Sequence, residues 1–178
     1  GVDIGSSSLK VVQLRKDHGK AVLETYGELA LGPYGGEEVG QATNLSAEQV
    51  TDTLKDLLRE AKVTTNNCGV SIPFARSLLT LVNLPYRESP EEQKTVIELE
   101  ARKYIPVPVS EITLDWWVIP PDETKNTAVP QVVDGVPTLS VTQKTDVLVV
   151  AIHNEAINKY QDIVKRTAID TSFFEIEI

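Results

Sequence analysis

The chain has 178 residues, and 17 lysine and arginine residues against 26 aspartate and glutamate residues give it a formal net charge of −9 at pH 7. An acidic chain repels phosphate backbones and anionic lipid headgroups, so nucleic-acid binding and direct membrane-surface binding are disfavoured. The charged fraction of 24% and the hydrophobic fraction of 41% are ordinary for a folded protein, which excludes global disorder. The length allows one or two domains.

Cysteine usage and the apolar runs limit the setting of the protein. Cys68 is the single cysteine, so an internal disulfide is impossible and a reducing, cytosolic compartment is expected. The longest unbroken apolar run, residues 147–152, is far shorter than the roughly 20 residues that a membrane-spanning helix needs. The sequence contains no methionine and begins at Gly1 within a motif. We therefore expect the chain to be a piece of a longer protein.

The first half of the chain predicts a hairpin followed by a helix and further strands. Residues 9–15 and 20–26 are typical of two strands, and Gly19 between them supplies the positive φ of a short hairpin turn. Ser46, with Gln49 three residues later, forms a capping box at the start of an amphipathic helix. Strands are then predicted at 69–73 and 77–84. This succession indicates a mixed α/β layer.

A second group of elements begins near Pro85. Ser89 and Pro90 begin a helix that we expect to reach about Tyr104, where prolines stop it. The further predicted elements are a strand at 113–119, a small hairpin around 132–136 within a long polar stretch at 120–145, a strand at 146–152 and an amphipathic helix capped by Asn154.

Several residues with chemically useful side chains form no recognisable constellation. His18, His153 and Cys68 are not at the spacing of metal ligands, and no Ser/His/Asp or Cys/His arrangement is present. Trp116 and Trp117 are predicted to lie on opposite faces of a strand because side chains alternate. One of them is expected to be buried, and the other to pack on a neighbouring subdomain or to mark a contact surface.

The segment from Asp3 to Lys10 carries the most chemical information. Backbone amides in a Gly/Ser turn can bind phosphate oxygens, a carboxylate just before the turn can hold hydrated Mg²⁺, and a lysine can neutralise the phosphate charge. The phosphate- and magnesium-binding residues predicted from this segment are Asp3 (through water), Gly5, Ser6, Ser7, Ser8 and Lys10. The pattern is equally compatible with a polar hairpin turn in which Asp3 is solvated or caps the turn.

Five segments of the chain resemble the PilM family of type IV pilus assembly proteins, which are actin-like ATPases. Residues 1–12 are similar to the first phosphate motif of that family. Residues 97–108 resemble the helix and Pro-x-Pro exit of its inserted subdomain. The other similar segments are 114–117, 146–151 with the amphipathic helix that follows, and 168–176. These segments occur in the family's order and span nearly the whole chain.

The resemblance implies an α/β fold of the actin-like, ribonuclease-H-like ATPase type, in which an FtsA-type subdomain 1C is inserted into subdomain 1A. Residues 1–80, with 172–178 returning, would form subdomain 1A, and residues 81–171 would form the inserted subdomain 1C. The second phosphate motif and the adenosine pocket of the family would lie outside this chain.

The resemblance also implies ATP and Mg²⁺ as cofactors, weak or absent ATPase activity, and a structural role. PilM-like proteins are cytoplasmic and peripheral to the inner membrane, and they dock the N-terminal cytoplasmic tail of the inner-membrane protein PilN between 1A and 1C. Pilus motor components are further implied partners, and the membrane is reached only through partners. The docking residues predicted on this basis are the strand at 77–84 with Leu84, Tyr86, Arg102 and Tyr104, although the same surface could serve only 1A–1C packing.

Two other functions share parts of this pattern. The N-terminal lobe of a sugar or small-acid kinase shares the phosphate turn, but a phosphotransferase needs a positioned general base that this sequence does not show. A cell-division tether similar to FtsA shares the 1C placement and would anchor itself through a C-terminal amphipathic helix. The segment at 104–108 favours the pilus family.

Overall fold

A computed structural model describes residues 1–87, 89–120, 129–133, 136–140 and 144–177, with only the backbone for 129–133 and 136–140. The strands are β1 Val2–Ile4, β2 Ser8–Asp17, β3 Lys20–Ala30, β4 Asn67–Ile72, β5 Ser77–Pro85, β6 Ile112–Ile119, β7 Val129–Val133, β8 Val136–Ser140, β9 Lys144–His153 and β10 Asp170–Ile176. The helices are α1 Ala47–Glu60, α2 Pro90–Ala101 and α3 Asn154–Thr167, and short 3-10 helices lie at Gly32–Gly35, Phe74–Arg76 and Val109–Glu111. The chain divides into two compact units, Gly1–Ser77 with Asn154–Ile178, and Leu78–His153.

The first unit contains a five-stranded sheet in the order β10-β4-β1-β2-β3. β2 is antiparallel to both β1 and β3, whereas β4 is parallel to β1 and β10. The β2–β3 turn consists of His18 and Gly19, both with positive φ. Positive φ at both positions gives a two-residue turn the twist that matches the twist of its two strands. The predicted hairpin is therefore confirmed, with longer strands than expected.

Helices α1 and α3 pack against each other, and α1 also packs on β2 and β3. The inward-facing side chains of β1, β2 and β4 are buried, as are the apolar faces of both helices. The Lys159 ammonium of α3 donates a hydrogen bond to the Leu45 carbonyl oxygen at 2.8 Å, just before α1 begins. Burial, together with the nearby Arg76 guanidinium, lowers the pKa of Lys159, and burial raises the pKa of the Tyr160 hydroxyl.

The second unit contains a three-stranded sheet in the order β5-β9-β6, in which β6 and β9 are antiparallel. Its core is formed by α2 and the facing side chains of the sheet, with Ile97 of α2 and Val147 of β9 fully buried. β7 and β8 form a separate antiparallel pair. This pair confirms the predicted small hairpin, whose turn at 134–135 lies outside the described residues, as do 121–128 and 141–143 of the polar stretch.

The predicted starts of α1 and α2 agree with the structure, and the predicted end of α2 does not. Ser46 and Gln49 form the full capping box of α1. The Ser89 side chain accepts a hydrogen bond from the Glu92 N–H at the start of α2. However, α2 ends at Ala101, and Tyr104 lies in a following turn whose N–H donates to the Ala101 carbonyl. The helix thus stops before the prolines, in a turn closed by its own backbone.

The second predicted subdomain boundary differs from the boundary of the compact units. Residues 81–171 were expected to form one subdomain, but α3 lies in the first unit because its apolar face, with Ile163 and Tyr160, is buried alongside α1. The inserted unit therefore ends at His153, and the return to the first unit begins with α3. Among the described residues, no helix is both long enough and apolar enough to span a membrane.

Candidate functional site

The turn between β1 and β2 is the centre of the predicted phosphate site. The Gly5 N–H donates a hydrogen bond to the Ser8 carbonyl oxygen at 3.0 Å, which closes the turn. A Cβ at position 5 would lie 2.8 Å from that same oxygen. Glycine is therefore required here because of a close backbone approach.

The loop after β3 is hydrogen-bonded to this turn. The Leu31 N–H donates to the Ser7 carbonyl at 2.8 Å, and the Thr43 N–H donates to the Ser6 carbonyl at 3.0 Å. Within the described part of the chain, the N–H groups of Ser6 and Ser7 have no protein acceptor. Two donors of the turn thus remain able to bind an anion, which is the arrangement that phosphate-binding turns use.

Asp3 lies opposite Lys10 in the antiparallel β1–β2 pair. The Asp3 Oδ2 is 3.5 Å from the Lys10 Nζ, while the Asp3 Oδ1 is buried and has no hydrogen-bond partner among the described residues. A buried carboxylate oxygen without a donor is energetically costly. A hydrated cation would satisfy it, so the observed geometry fits the predicted water-mediated Mg²⁺ ligand.

The strand register extends this pair into a polar row that crosses all five strands. Glu175 of β10 lies opposite Ser71, Ser71 opposite Asp3, Asp3 opposite Lys10, and Lys10 opposite Glu28. Three carboxylates and one ammonium thus share one line on the sheet face opposite the buried side chains. Ser71 and Glu175 were missed in the sequence because they reach this row only through parallel pairing of distant strands. Glu28 was missed because it lies beyond the end of the strand predicted at 20–26.

A neighbouring row is mostly apolar. Phe173 lies opposite Gly69, and Val12 lies opposite Tyr26. A Cβ on Gly69 would lie 2.4 Å from the Phe173 ring, so only glycine leaves room for this aromatic side chain. The two rows line a cleft of about 650 Å³, which includes Asp3 and Lys10. Gly5, Ser6, Ser7 and Ser8 lie outside the cleft lining, in the turn that follows Asp3.

The predicted partner-binding residues lie at different depths in the second unit. Leu84 is only 2% exposed and belongs to the hydrophobic core. It is therefore not available to a partner, contrary to the prediction. The strand alternates, and the outward-facing positions of β5 are the odd-numbered ones near its end. Tyr86, Arg102 and Tyr104 are exposed, as a docking surface requires.

These three exposed residues do not form one compact cluster. Tyr86 precedes α2, whereas Arg102 and Tyr104 follow it. A helix of 12 residues is about 18 Å long, so its two ends are well separated. The Arg87 N–H donates to the Gln93 Oε1 at 2.7 Å, which fixes the segment after β5 to the first turns of α2.

Residues 1–87, 89–120 and 144–177 contain no group of three or more His, Cys, Asp or Glu side chains arranged to hold a metal ion directly. Trp116 is partly buried against the core of the second unit and Trp117 is 71% exposed, which confirms their predicted placement on opposite faces.

Comparison with known proteins assigns the family. The family model described as "Type IV pilus assembly protein PilM" matches residues 1–178. The chain belongs to the PilM family. A solved "PilM-PilN type IV pilus biogenesis complex" contains a chain of similar fold, with a TM-score of 0.74 and 20% sequence identity, and the similarity covers 99% of this chain and 46% of that one.

The fold is also similar to that of a type II secretion protein. This is the cytoplasmic domain of EpsL, an inner membrane component of the type II secretion system of Vibrio cholerae. The TM-score is 0.52 and the identity 11%, over 97% of this chain and 55% of that chain. The chain thus spans about half the length of these two solved chains. At these identities the likeness concerns the fold, and the predicted actin-like ATPase fold is confirmed.

Proposed function

We propose that this chain forms part of an actin-like assembly protein of type IV pilus biogenesis. The protein binds ATP with Mg²⁺, turns it over slowly or not at all, and docks the N-terminal cytoplasmic tail of a PilN-like inner-membrane protein. It is cytoplasmic and reaches the inner membrane through that partner. The match of the PilM family model to residues 1–178 carries the proposal. The same match favours this role over that of a sugar-kinase lobe or an FtsA-like tether.

The nucleotide part of the proposal is supported by the β1–β2 turn and the polar row. The unsatisfied Asp3 Oδ1 would accept a hydrogen bond from Mg²⁺-bound water, and the adjacent Lys10 ammonium would balance phosphate charge. The free N–H groups of Ser6 and Ser7 would donate to phosphate oxygens. Bound Mg²⁺ would supply charge neutralisation for the phosphates.

Titration with a fluorescent ATP analogue tests this part. We expect Mg²⁺-dependent binding that Lys10→Ala weakens about tenfold, because one charge-assisted hydrogen bond to phosphate is lost. Lys16→Ala is the matched control, since Lys16 is an exposed lysine on the same strand, away from the cleft lining. Equal losses in the two variants, or binding that EDTA does not reduce, would refute the assignment of this site.

The docking part of the proposal assigns the exposed Tyr104 and Arg102, after α2, to the surface that contacts the partner's tail. The solved structure of similar fold is described as a PilM-PilN complex, which supports a partner of this kind. Tyr104 offers an apolar ring with a polar hydroxyl, a combination common at the energetic centres of interfaces. Leu84 is omitted from this surface because it is buried.

Replacement of Tyr104 tests this surface. We expect Tyr104→Ala to weaken binding of a synthetic PilN-like tail by about tenfold or more, measured by calorimetry, since central aromatic residues often contribute above 1 kcal/mol. Tyr34→Ala is the control, because Tyr34 is 47% exposed against 51% for Tyr104 and lies in the first unit. If Tyr34→Ala weakens binding and Tyr104→Ala does not, the surface is assigned wrongly.

A further inference from the structure

Among the described residues of the second unit, one helix packs against the three-stranded sheet, on one of its two faces. α2 packs against the face that carries Val82, Val147 and Val149. Because side chains alternate along a strand, the opposite face carries the intervening residues. We call this the outer face; its apolar side chains include Leu81, Trp117, Ile119, Leu148, Val150 and Ile152.

The outer face is both apolar and accessible at its centre. Trp117 lies opposite Leu148 in the β6–β9 pair, and Trp117 is 71% exposed. On β5, Leu81 is 58% exposed. A tryptophan and neighbouring leucines grouped on one open sheet face are the kind of apolar patch that marks an interaction site. Neither the nucleotide site nor the docking surface proposed above uses these residues.

Two carboxylates flank this apolar centre. The pair Ile119–Asp146 lies on one side of Trp117–Leu148 along the strands, and the pair Asp115–Val150 lies on the other. The Asn83 Nδ2 donates to the Asp146 Oδ1 at 2.6 Å, and the Asp146 Oδ2 has no hydrogen-bond partner among the described residues. The cation that the described strands place on this face is Lys144, at the beginning of β9. The charged side chains that flank the apolar centre are therefore both carboxylates, within a chain of net charge −9.

The dimensions of the face match one helix. Adjacent strands are about 4.8 Å apart, so the two outer strands of a three-stranded sheet are about 10 Å apart. This width is close to the diameter of a helix with its side chains, about 10–12 Å. On the opposite face, the single helix α2 packs against residues of all three strands. A second helix would complete a three-layer arrangement.

We propose that the outer face binds an amphipathic helix of a protein partner, with aliphatic residues against Trp117 and Leu148 and with lysine or arginine residues beside Asp115 and Asp146. This interaction goes beyond the proposed function and does not depend on it. Apolar contact supplies the affinity, and the two carboxylates select a basic helix over an acidic one.

Fluorescence titration with two model peptides tests this inference. The probes are an amphipathic Leu/Lys peptide of about 18 residues, five turns of helix, and a Leu/Glu peptide of the same pattern. Both tryptophans belong to the second unit, so the emission reports on this part of the molecule. We expect the Leu/Lys peptide to shift the emission to shorter wavelength saturably, and the Leu/Glu peptide to bind at least about tenfold more weakly.

Two matched variants locate the binding. Leu81→Ser should weaken binding of the Leu/Lys peptide about tenfold, because Leu81 is on the outer face. Leu14→Ser should leave it unchanged, since Leu14 is 55% exposed, similar to Leu81, but lies in the first unit. Equal affinities for the two peptides, or equal effects of the two variants, would overturn the proposal. So would concentration-dependent dimerisation in sedimentation velocity that Leu81→Ser abolishes, because a second copy would then cover the face.

Discussion

At the scale of single residues, Gly5 is a position of the candidate site at which the backbone leaves no room for a side chain. Its N–H closes the β1–β2 turn on the Ser8 carbonyl, and a side chain would approach that carbonyl oxygen to 2.8 Å. The turn also fixes where Asp3 and Lys10 project from the adjoining strands. Stability and ligand binding should therefore depend together on this residue.

Gly5→Ala is expected to lower the free energy of unfolding of the first unit by about 1–3 kcal/mol, as overpacking a tight contact usually does. Both tryptophans lie in the second unit, so their emission would not report on the first unit. Urea unfolding followed by far-UV circular dichroism therefore measures this change. Gly1→Ala is the control: its Cβ would lie 3.4 Å from the Val12 side chain, an ordinary contact, so a change within about 0.5 kcal/mol is expected. Equal effects of the two substitutions would show that the close approach to the Ser8 carbonyl does not limit stability.

The sequence predicts some residues of the polar row and not others for a physical reason. Asp3 and Lys10 are close in the chain and join through a local hairpin, so their pairing follows from local patterning. Ser71 and Glu175 reach the same row only through parallel pairing of distant strands. Leu84 was assigned to the surface because alternation along a strand does not tell which set of positions faces the core.

At the scale of elements, α2 organises the second unit. Ile97 is fully buried at the centre of the core formed with β5, β6 and β9, and Trp116 packs at its edge. The helix has few other buried residues, since only Gln93 and Ala101 are also buried. The attachment of this helix to the sheet should therefore depend strongly on one side chain.

Ile97→Ala is expected to destabilise the second unit by about 2–5 kcal/mol, because it removes buried methyl groups and leaves a cavity. Tryptophan emission during urea unfolding measures this, since Trp116 contacts that core. Leu99→Ala, two positions along the same helix and 54% exposed, should change the stability by less than about 0.5 kcal/mol. A loss of stability in Leu99→Ala as large as in Ile97→Ala would show that the helix faces are assigned incorrectly.

Element boundaries were predictable where local chemistry sets them. The Ser46–Gln49 capping box and the His18–Gly19 turn were recognisable because caps and turns depend on a few adjacent residues. The membership of α3 was not, since an amphipathic face shows that a helix packs on something without showing on what. In the structure that face is buried next to α1, so α3 lies in the first unit.

At the scale of the whole molecule, the chain combines two compact units in a fold that the PilM family shares. The first unit carries the polar row with Asp3 and Lys10 in its cleft. The second carries the exposed Tyr104 and the outer face around Trp117. This division places the proposed nucleotide site and the proposed partner surfaces on different units. The order of the segments along the chain made the family recognisable from the sequence. The order of the strands within the sheets could not be predicted from it.

We propose that this chain takes part in pilus assembly by binding the tail of a membrane partner. The most direct measurement is a calorimetric titration with a synthetic peptide that copies the N-terminal tail of the PilN-like protein from the same organism, beside a scrambled peptide of identical composition. We expect saturable binding of the true tail alone, in a one-to-one ratio. No binding by a folded chain, or equal binding of both peptides, would contradict it.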